Sequence, residues 1–86
     1  MNTHDVELEI RQYLAELHPR RAGDVAALAA TAPLFASGLL DSLSFVEFVA
    51  FLEQRFGIVA PPADFYQENF GTVAAAAAYV AARTKT

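Results

Sequence analysis

The sequence predicts an all-α fold, a bundle of three main helices plus one short helix, with a long connection after the first. Three observations point there. Apolar residues recur at helical spacing in three separate segments, and the glycines and prolines fall between those segments rather than inside them. No stretch reads convincingly as a strand, and no internal repeat or linker divides the chain. At 86 residues, two cores would each bury too little apolar surface, so residues 1–86 are expected to form a single domain.

The first helix opens at Thr3, a residue able to cap it, and carries Val6, Ile10, Tyr13, Leu14 and Leu17 on one face. Pro19 stops it. Between His18 and Asp41 the chain holds Pro19, Gly23, Pro33 and Gly38 without sustained periodicity, and Asp24 can cap a short turn through Val25 to Ala30. A connection of that length is uncommon in a small domain and is often functional. The second main helix runs from about Ser42 to Phe56 and closes at Gly57, a residue suited to the left-handed conformation that ends helices. The segment IVAPP then prevents the helix from resuming. Asp64 to Glu68 suits one short helical turn, with Phe65 and Phe70 as inward anchors on either side. Thr72 can cap a last helix that turns Val73, Ala76, Ala77 and Val80 inward, leaving RTKT at 83–86 as a frayed tail.

Composition narrows the function classes. Hydrophobic residues make up 55% of the chain, but many are alanines, so the core must rest on Leu, Val, Ile and Phe. Without cysteine there is neither a disulfide framework nor a thiolate metal site, and His4 and His18 have no partner at a ligand spacing; they are expected at the surface near helix ends, with no metal bound. The longest apolar run, VAAAAAYVAA, is too short to span a membrane, and no signal sequence opens the chain, so a cytoplasmic, soluble protein is expected. A net charge of −4 makes nucleic acid an unsuitable partner and a basic protein surface a suitable one.

The second main helix has two apolar faces. At 100° per residue, Phe45, Phe48, Val49, Leu52 and Phe56 share one stripe of the width expected for a core face. Leu43, Val46 and Ala50 fall on another, bordered by Glu47, Glu53 and Gln54. That strip is either a docking surface for a basic, partly apolar partner, or surface scatter, or a patch covered by the long connection. Phe51 lies farther round and takes no assignment from spacing.

Ser42 stands where the connection becomes this helix, and three readings compete for it. It can help cap the helix, although Asp41 can do so alone. It can be a nucleophile, but GxSxG is absent and neither histidine has an evident orienting carboxylate, so no catalytic residue is expected. It can be a modification site, since a helix N-terminus favours a phosphate. The triplet DSL alone does not choose among them.

The flanking segments do. LFASGLLDSL at 34–43, VEFVAFLEQRFGI at 46–58 and NFGTVAAAAAYV at 69–80 resemble the acyl and peptidyl carrier proteins, in order and at family-like spacing over residues 33–82. The resemblance implies a four-helix carrier bundle, monomeric and itself without catalysis. It implies that Ser42 receives 4′-phosphopantetheine from coenzyme A through a phosphopantetheinyl transferase. The thiol of that arm then holds an acyl or aminoacyl group as a thioester, supplied by a loading enzyme, an adenylating ligase or acyltransferase, and presented to downstream biosynthetic enzymes. Recognition by those partners would fall on Asp41, Leu43, Val46, Glu47 and Ala50, which agrees with the face deduced from spacing. The LFxSGLLDS start and IVAPPADF are most similar to free-standing D-alanyl, aminoacyl or small-acyl carriers. Gln54 and Arg55 stand where fatty-acid carriers usually have carboxylates, which favours a specialised biosynthetic pathway. The inward phenylalanines further predict a small or polar cargo held outside the bundle. The alternative is an unmodified helical interaction module using the Leu43, Val46 and Ala50 face, and a small serine hydrolase is the third reading.

Overall fold

The three segments with helical spacing are helices in the computed structural model, which describes residues 2–84, and no strand occurs among the described residues. They are α1 (Thr3–Leu17), α3 (Ser42–Phe56) and α5 (Val73–Thr84), with the short α2 (Ala22–Ala27) and α4 (Gln67–Phe70) between them. Single 3-10 turns at Pro19–Arg21 and Pro62–Asp64 precede the two short helices.

Helix starts follow side-chain reach. Asn2, and not Thr3, caps α1: its side-chain oxygen accepts from the Asp5 N–H at 2.9 Å, and Thr3 is already helical. The turn expected at 25–30 begins earlier, at Ala22, and no side chain caps it. Asp24 lies inside its first turn and pairs with Arg21 at 3.1 Å. What places α2 is Arg11 on α1, whose guanidinium donates to the carbonyls of Val25 at 3.0 Å, which also accepts from the Leu28 N–H, and of Leu28 at 2.7 Å, at the end of the helix.

The rest of the long connection is folded. Leu34, Leu39 and Leu40 are buried, and the Leu39 and Leu40 N–H groups both donate to the Leu34 carbonyl at 3.0 and 3.1 Å. The chain turns between them through Gly38 at φ 79°, which a residue with a Cβ adopts only with strain. Leu34 N–H donates to the Gly71 carbonyl at 2.8 Å and so ties this connection to the start of α5.

α3 occupies its expected span and ends at Gly57, with φ 67° and ψ 34°. The next residues are fastened by Glu53, whose carboxylate accepts from the Ala60 N–H at 2.9 Å. The helical turn expected at 64–68 splits into the Pro62–Asp64 turn and α4, with Phe70 buried and Phe65 half-buried against it. Thr72 caps α5 as expected, accepting from the Ala75 N–H at 2.9 Å, and Val73, Ala76, Ala77 and Val80 are buried. Arg83 and Thr84, expected in the frayed tail, are the last residues of α5, while Lys85 and Thr86 lie outside the described residues. Asp64 accounts for this extension: it accepts from the Tyr79 hydroxyl at 2.6 Å and from Arg83 at 2.9 Å, with the guanidinium over the Tyr79 ring.

α1 packs chiefly on α5, whose alanines permit close approach. α1 and α3 are antiparallel: Glu9 pairs with Arg55 at one end, Tyr13 stacks on Phe51 in the middle at 4.2 Å between ring centres, and His18 meets Leu39, shortly before α3, at the other. This gives Phe51 its role, wedging the two helices with Tyr13. Phe45, Phe48 and Phe70 are buried, whereas Phe56, expected on the core stripe, is only half-buried and sits edge-on to Phe51.

Candidate functional site

The start of α3 is built by two residues flanking Ser42. Asp41 is extended, at φ −124° and ψ −172°, and its Oδ1 accepts from the N–H groups of Leu43 at 3.1 Å and Ser44 at 2.9 Å. Ser44 Oγ returns the contact, accepting from the Asp41 N–H at 2.8 Å and donating to the Asp41 carboxylate at 3.0 Å. Such a reciprocal cap satisfies donors at both ends of the first turn. The hydrogen bonds from the Ser44 N–H and hydroxyl hold the Asp41 carboxyl below the usual carboxylate range. The cap is complete without Ser42, which is the first residue of α3, exposed, with its hydroxyl outside these contacts.

The chain just before the cap is anchored. Leu39 and Leu40 are 1% and 3% exposed, and His18 Nε2 donates to the Leu39 carbonyl at 2.7 Å. Ser42 is therefore displayed on a firm base at a helix N-terminus, where the helix dipole suits a negative charge although Asp41 already takes the N–H groups of Leu43 and Ser44. The capping reading of Ser42 loses to Asp41 and Ser44. Sequence reasoning missed Ser44; its signal was the spacing of Asp41 and Ser44, an acceptor followed by a second polar residue at the third helical position. It also placed His18 at the surface, whereas the ring is half-buried and engaged by the connection.

The outer face of α3 lies as the spacing predicts. Leu43 and Val46 are 72% and 52% exposed, and Glu47 and Ala50 are exposed beside them, so the long connection does not cover the strip. Asp41 is exposed at the head of the same helix, but its carboxylate is engaged in the cap. Glu53, expected on the acidic border, is half-buried and occupied by Ala60. Below the strip a concavity is lined by Tyr13, Glu47, Ala50, Phe51, Glu53 and Gln54. Partial burial, then the Glu47 charge, raise the Tyr13 hydroxyl pKa above its ordinary value.

A family model described as a phosphopantetheine attachment site matches residues 9–80. The chain is 40% identical over 81 residues to the lincomycin biosynthesis protein LmbN of Streptomyces lincolnensis, covering 94% of this chain and 27% of that one. It is 47% identical over 38 residues to the D-alanyl carrier protein of Leuconostoc citreum, covering 44% of this chain and 49% of that one. With the D-alanyl carrier protein of Streptococcus sanguinis it shares 31% identity over 68 residues, 79% of this chain and 81% of the other. The chain thus spans about a quarter of the first relative and about half of the second.

Proposed function

Because the chain belongs to the phosphopantetheine-attachment family, whose members bear that cofactor covalently, we propose that Ser42 is its attachment point and that residues 1–86 act as one carrier domain. When bound, the arm supplies a terminal thiol on which an acyl or aminoacyl group is held as a thioester. The observation that carries this reading is the exposed Ser42 hydroxyl at the first position of α3, beside a cap already completed by Asp41 and Ser44. The residues present fit the group: the hydroxyl is free to form a phosphoester, and the helix N-terminus favours the resulting negative charge. The bond formed is Ser42 Oγ to the phosphorus that bears pantetheine, the bond broken is the phosphoanhydride of coenzyme A, adenosine 3′,5′-bisphosphate leaves, and the hydroxyl proton passes to a base of the transferase. Base and metal for that transfer belong to the transferase.

Partner enzymes then read the outer face of α3 through Leu43, Val46, Glu47 and Ala50, with Asp41 shaping the head of the helix. Leu43 stands next to the modified serine, so a partner that grips it also locates the arm. The resemblance of 31% to 47% to D-alanyl carriers and of 40% to LmbN supports an aminoacyl or small-acyl carrier of a specialised biosynthetic pathway, loaded by a ligase or acyltransferase and acting without catalysis of its own. Among the described residues no helix is long and apolar enough to cross a membrane.

The test is intact mass. Incubated with coenzyme A, magnesium and a broad-specificity phosphopantetheinyl transferase, the folded protein should gain one phosphopantetheinyl group, Ser44→Ala should gain it too, and Ser42→Ala should not. No gain by the folded wild type would favour the unmodified interaction module, and a gain by Ser42→Ala would move the attachment point.

A further inference from the structure

The antiparallel course of α1 and α3 brings the end of α1 to the Ser42 end of the bundle. There Leu17, His18, Pro19, Arg20 and Arg21 line a concavity of about 400 Å³. Leu17 and Pro19 supply apolar wall. Arg21 reaches across to the connection: one of its terminal nitrogens lies 3.4 Å from where a Cβ on Gly38 would stand, and its Nε donates to Asp24 at 3.1 Å. Asp24 offsets part of that charge. Arg20 is exposed and forms no ion pair among the described residues, so it is the uncompensated cation of this corner. Two of the chain's six Lys and Arg residues therefore meet here, on a protein of net charge −4.

Reach decides what this corner can hold. His18, in the wall, is bonded to the Leu39 carbonyl, and Ser42 is three residue steps on from Leu39, a span of at most roughly 11 Å. A phosphopantetheine arm has more backbone bonds than four residues of peptide, so its far end can fold back to the concavity. The aromatic interior is closed to it: Phe35, Phe45, Phe70 and Tyr79 form a continuous chain of ring contacts, with centres 5.2, 6.2 and 4.6 Å apart in turn. A carried group thus meets the outer surface, and this concavity offers it an apolar wall and an unpaired cation nearby.

We propose that the Leu17–Arg21 concavity is a resting site for the carried acyl group, selective for short chains that end in a carboxylate. Leu17 and Pro19 take the methylenes, and Arg20 with Arg21 takes the terminal anion in charge-assisted hydrogen bonds. Docking there holds the thioester against the protein between encounters.

This inference rests on Ser42 carrying the arm, and the experiment separates the two. Apo-protein is loaded with pantetheine arms bearing succinyl or butyryl through a stable amide. The two groups share a four-carbon length and differ in a terminal carboxylate against a methyl. Loading is first verified by mass; failure to load would reject the attachment at Ser42 and this site with it. On the loaded protein, the succinyl arm should shift the NMR signals of the Leu17 methyls and the Arg20 and Arg21 Nε–H groups. The butyryl arm should leave them near those of the unacylated holo-protein. The shifts should vanish in Arg20→Gln/Arg21→Gln and shrink at about 1 M salt, where charges are screened within about 3 Å. Equal shifts from both arms, succinyl shifts confined to α3 and α4, or shifts that survive the double substitution would overturn the proposal with attachment intact. If the double variant instead slows a partner enzyme equally for both arms and no succinyl shifts appear, the corner is a protein contact and the proposal fails.

Discussion

The two faces of α3 are both apolar, yet one is buried and the other exposed. The inner face is large and aromatic, with Phe45, Phe48, Val49 and Leu52 buried. The outer face is smaller, with Leu43, Val46 and Ala50 exposed beside Glu47. Fifteen residues of one helix therefore separate what keeps the domain folded from what a partner can touch. Substitutions on one side should move the melting curve, and substitutions on the other should move partner kinetics.

The largest effect is expected from Phe48→Ala. Phe48 is fully buried and packs on Tyr13 at 5.8 Å between ring centres, so its removal leaves a void between α3 and α1. Truncating a buried Phe typically costs about 3–5 kcal/mol, a large share of the stability such a domain has. Denaturant unfolding followed by circular dichroism should show a midpoint reduced accordingly. A loss below about 1 kcal/mol would mean that the inner face is not the main support.

Next comes a pH effect remote from α3. Hydrogen bonds from Tyr79 and Arg83 hold the Asp64 carboxyl below the usual carboxylate range. Its contribution is therefore fully present above the ordinary pKa of about 4 and is lost as pH falls through the lower folded value. Asp64→Asn should weaken the protein at neutral pH and make stability fall less steeply between about pH 5 and pH 2. Thermal melts across that range provide the measurement, and parallel curves for the two proteins would show that the clasp contributes nothing. Phe48→Ala, by contrast, should lower stability at every pH alike.

These two sites also mark what was legible in the sequence. α3 could be read from end to end because its determinants are local: Asp41 caps one end, Gly57 takes the left-handed conformation at the other, and the phenylalanines repeat at helical spacing. The position of the outer strip followed from the same geometry, but spacing left open whether the connection covers it, and only the structure shows the strip and Ser42 exposed. α2 was misplaced because Arg11, which holds its carbonyls, stands 14 and 17 residues away in sequence. The two extra residues of α5, Arg83 and Thr84, depend on Asp64, 19 residues before Arg83. Phe51 gained a role only when Tyr13 came against it from another helix. Such pairings leave no periodic trace, and neither did the return of His18 to Leu39 that brings the basic corner to the Ser42 end.

At the head of α3 the comparison narrows to two serines. Ser44 closes the cap with Asp41, so Ser44→Ala should cost about 1 kcal/mol. Ser42 lies outside the cap, and Ser42→Ala should stay within the few tenths typical of an exposed position. Their order in stability should be the reverse of their order in modification. Should Ser42→Ala prove the more destabilising of the two by chemical denaturation, the assignment of the cap would have to change.

The smallest change in stability is expected on the outer face itself. Val46→Asp and Glu47→Lys leave every buried atom in place, so each should fall within about ±0.5 kcal/mol of wild type. Val46→Asp replaces apolar contact area with a charge that a partner must strip of water, and Glu47→Lys places a cation where a basic partner expects a carboxylate. Both should slow modification or loading while the melting curve stays put. The loss from Glu47→Lys should shrink as salt is raised, because its effect acts through charge, whereas much of the loss from Val46→Asp should persist through desolvation. Initial rates with a phosphopantetheinyl transferase at low and high salt distinguish the two behaviours. If both variants are modified and loaded at wild-type rates, the outer strip is ordinary surface and recognition lies elsewhere on the domain.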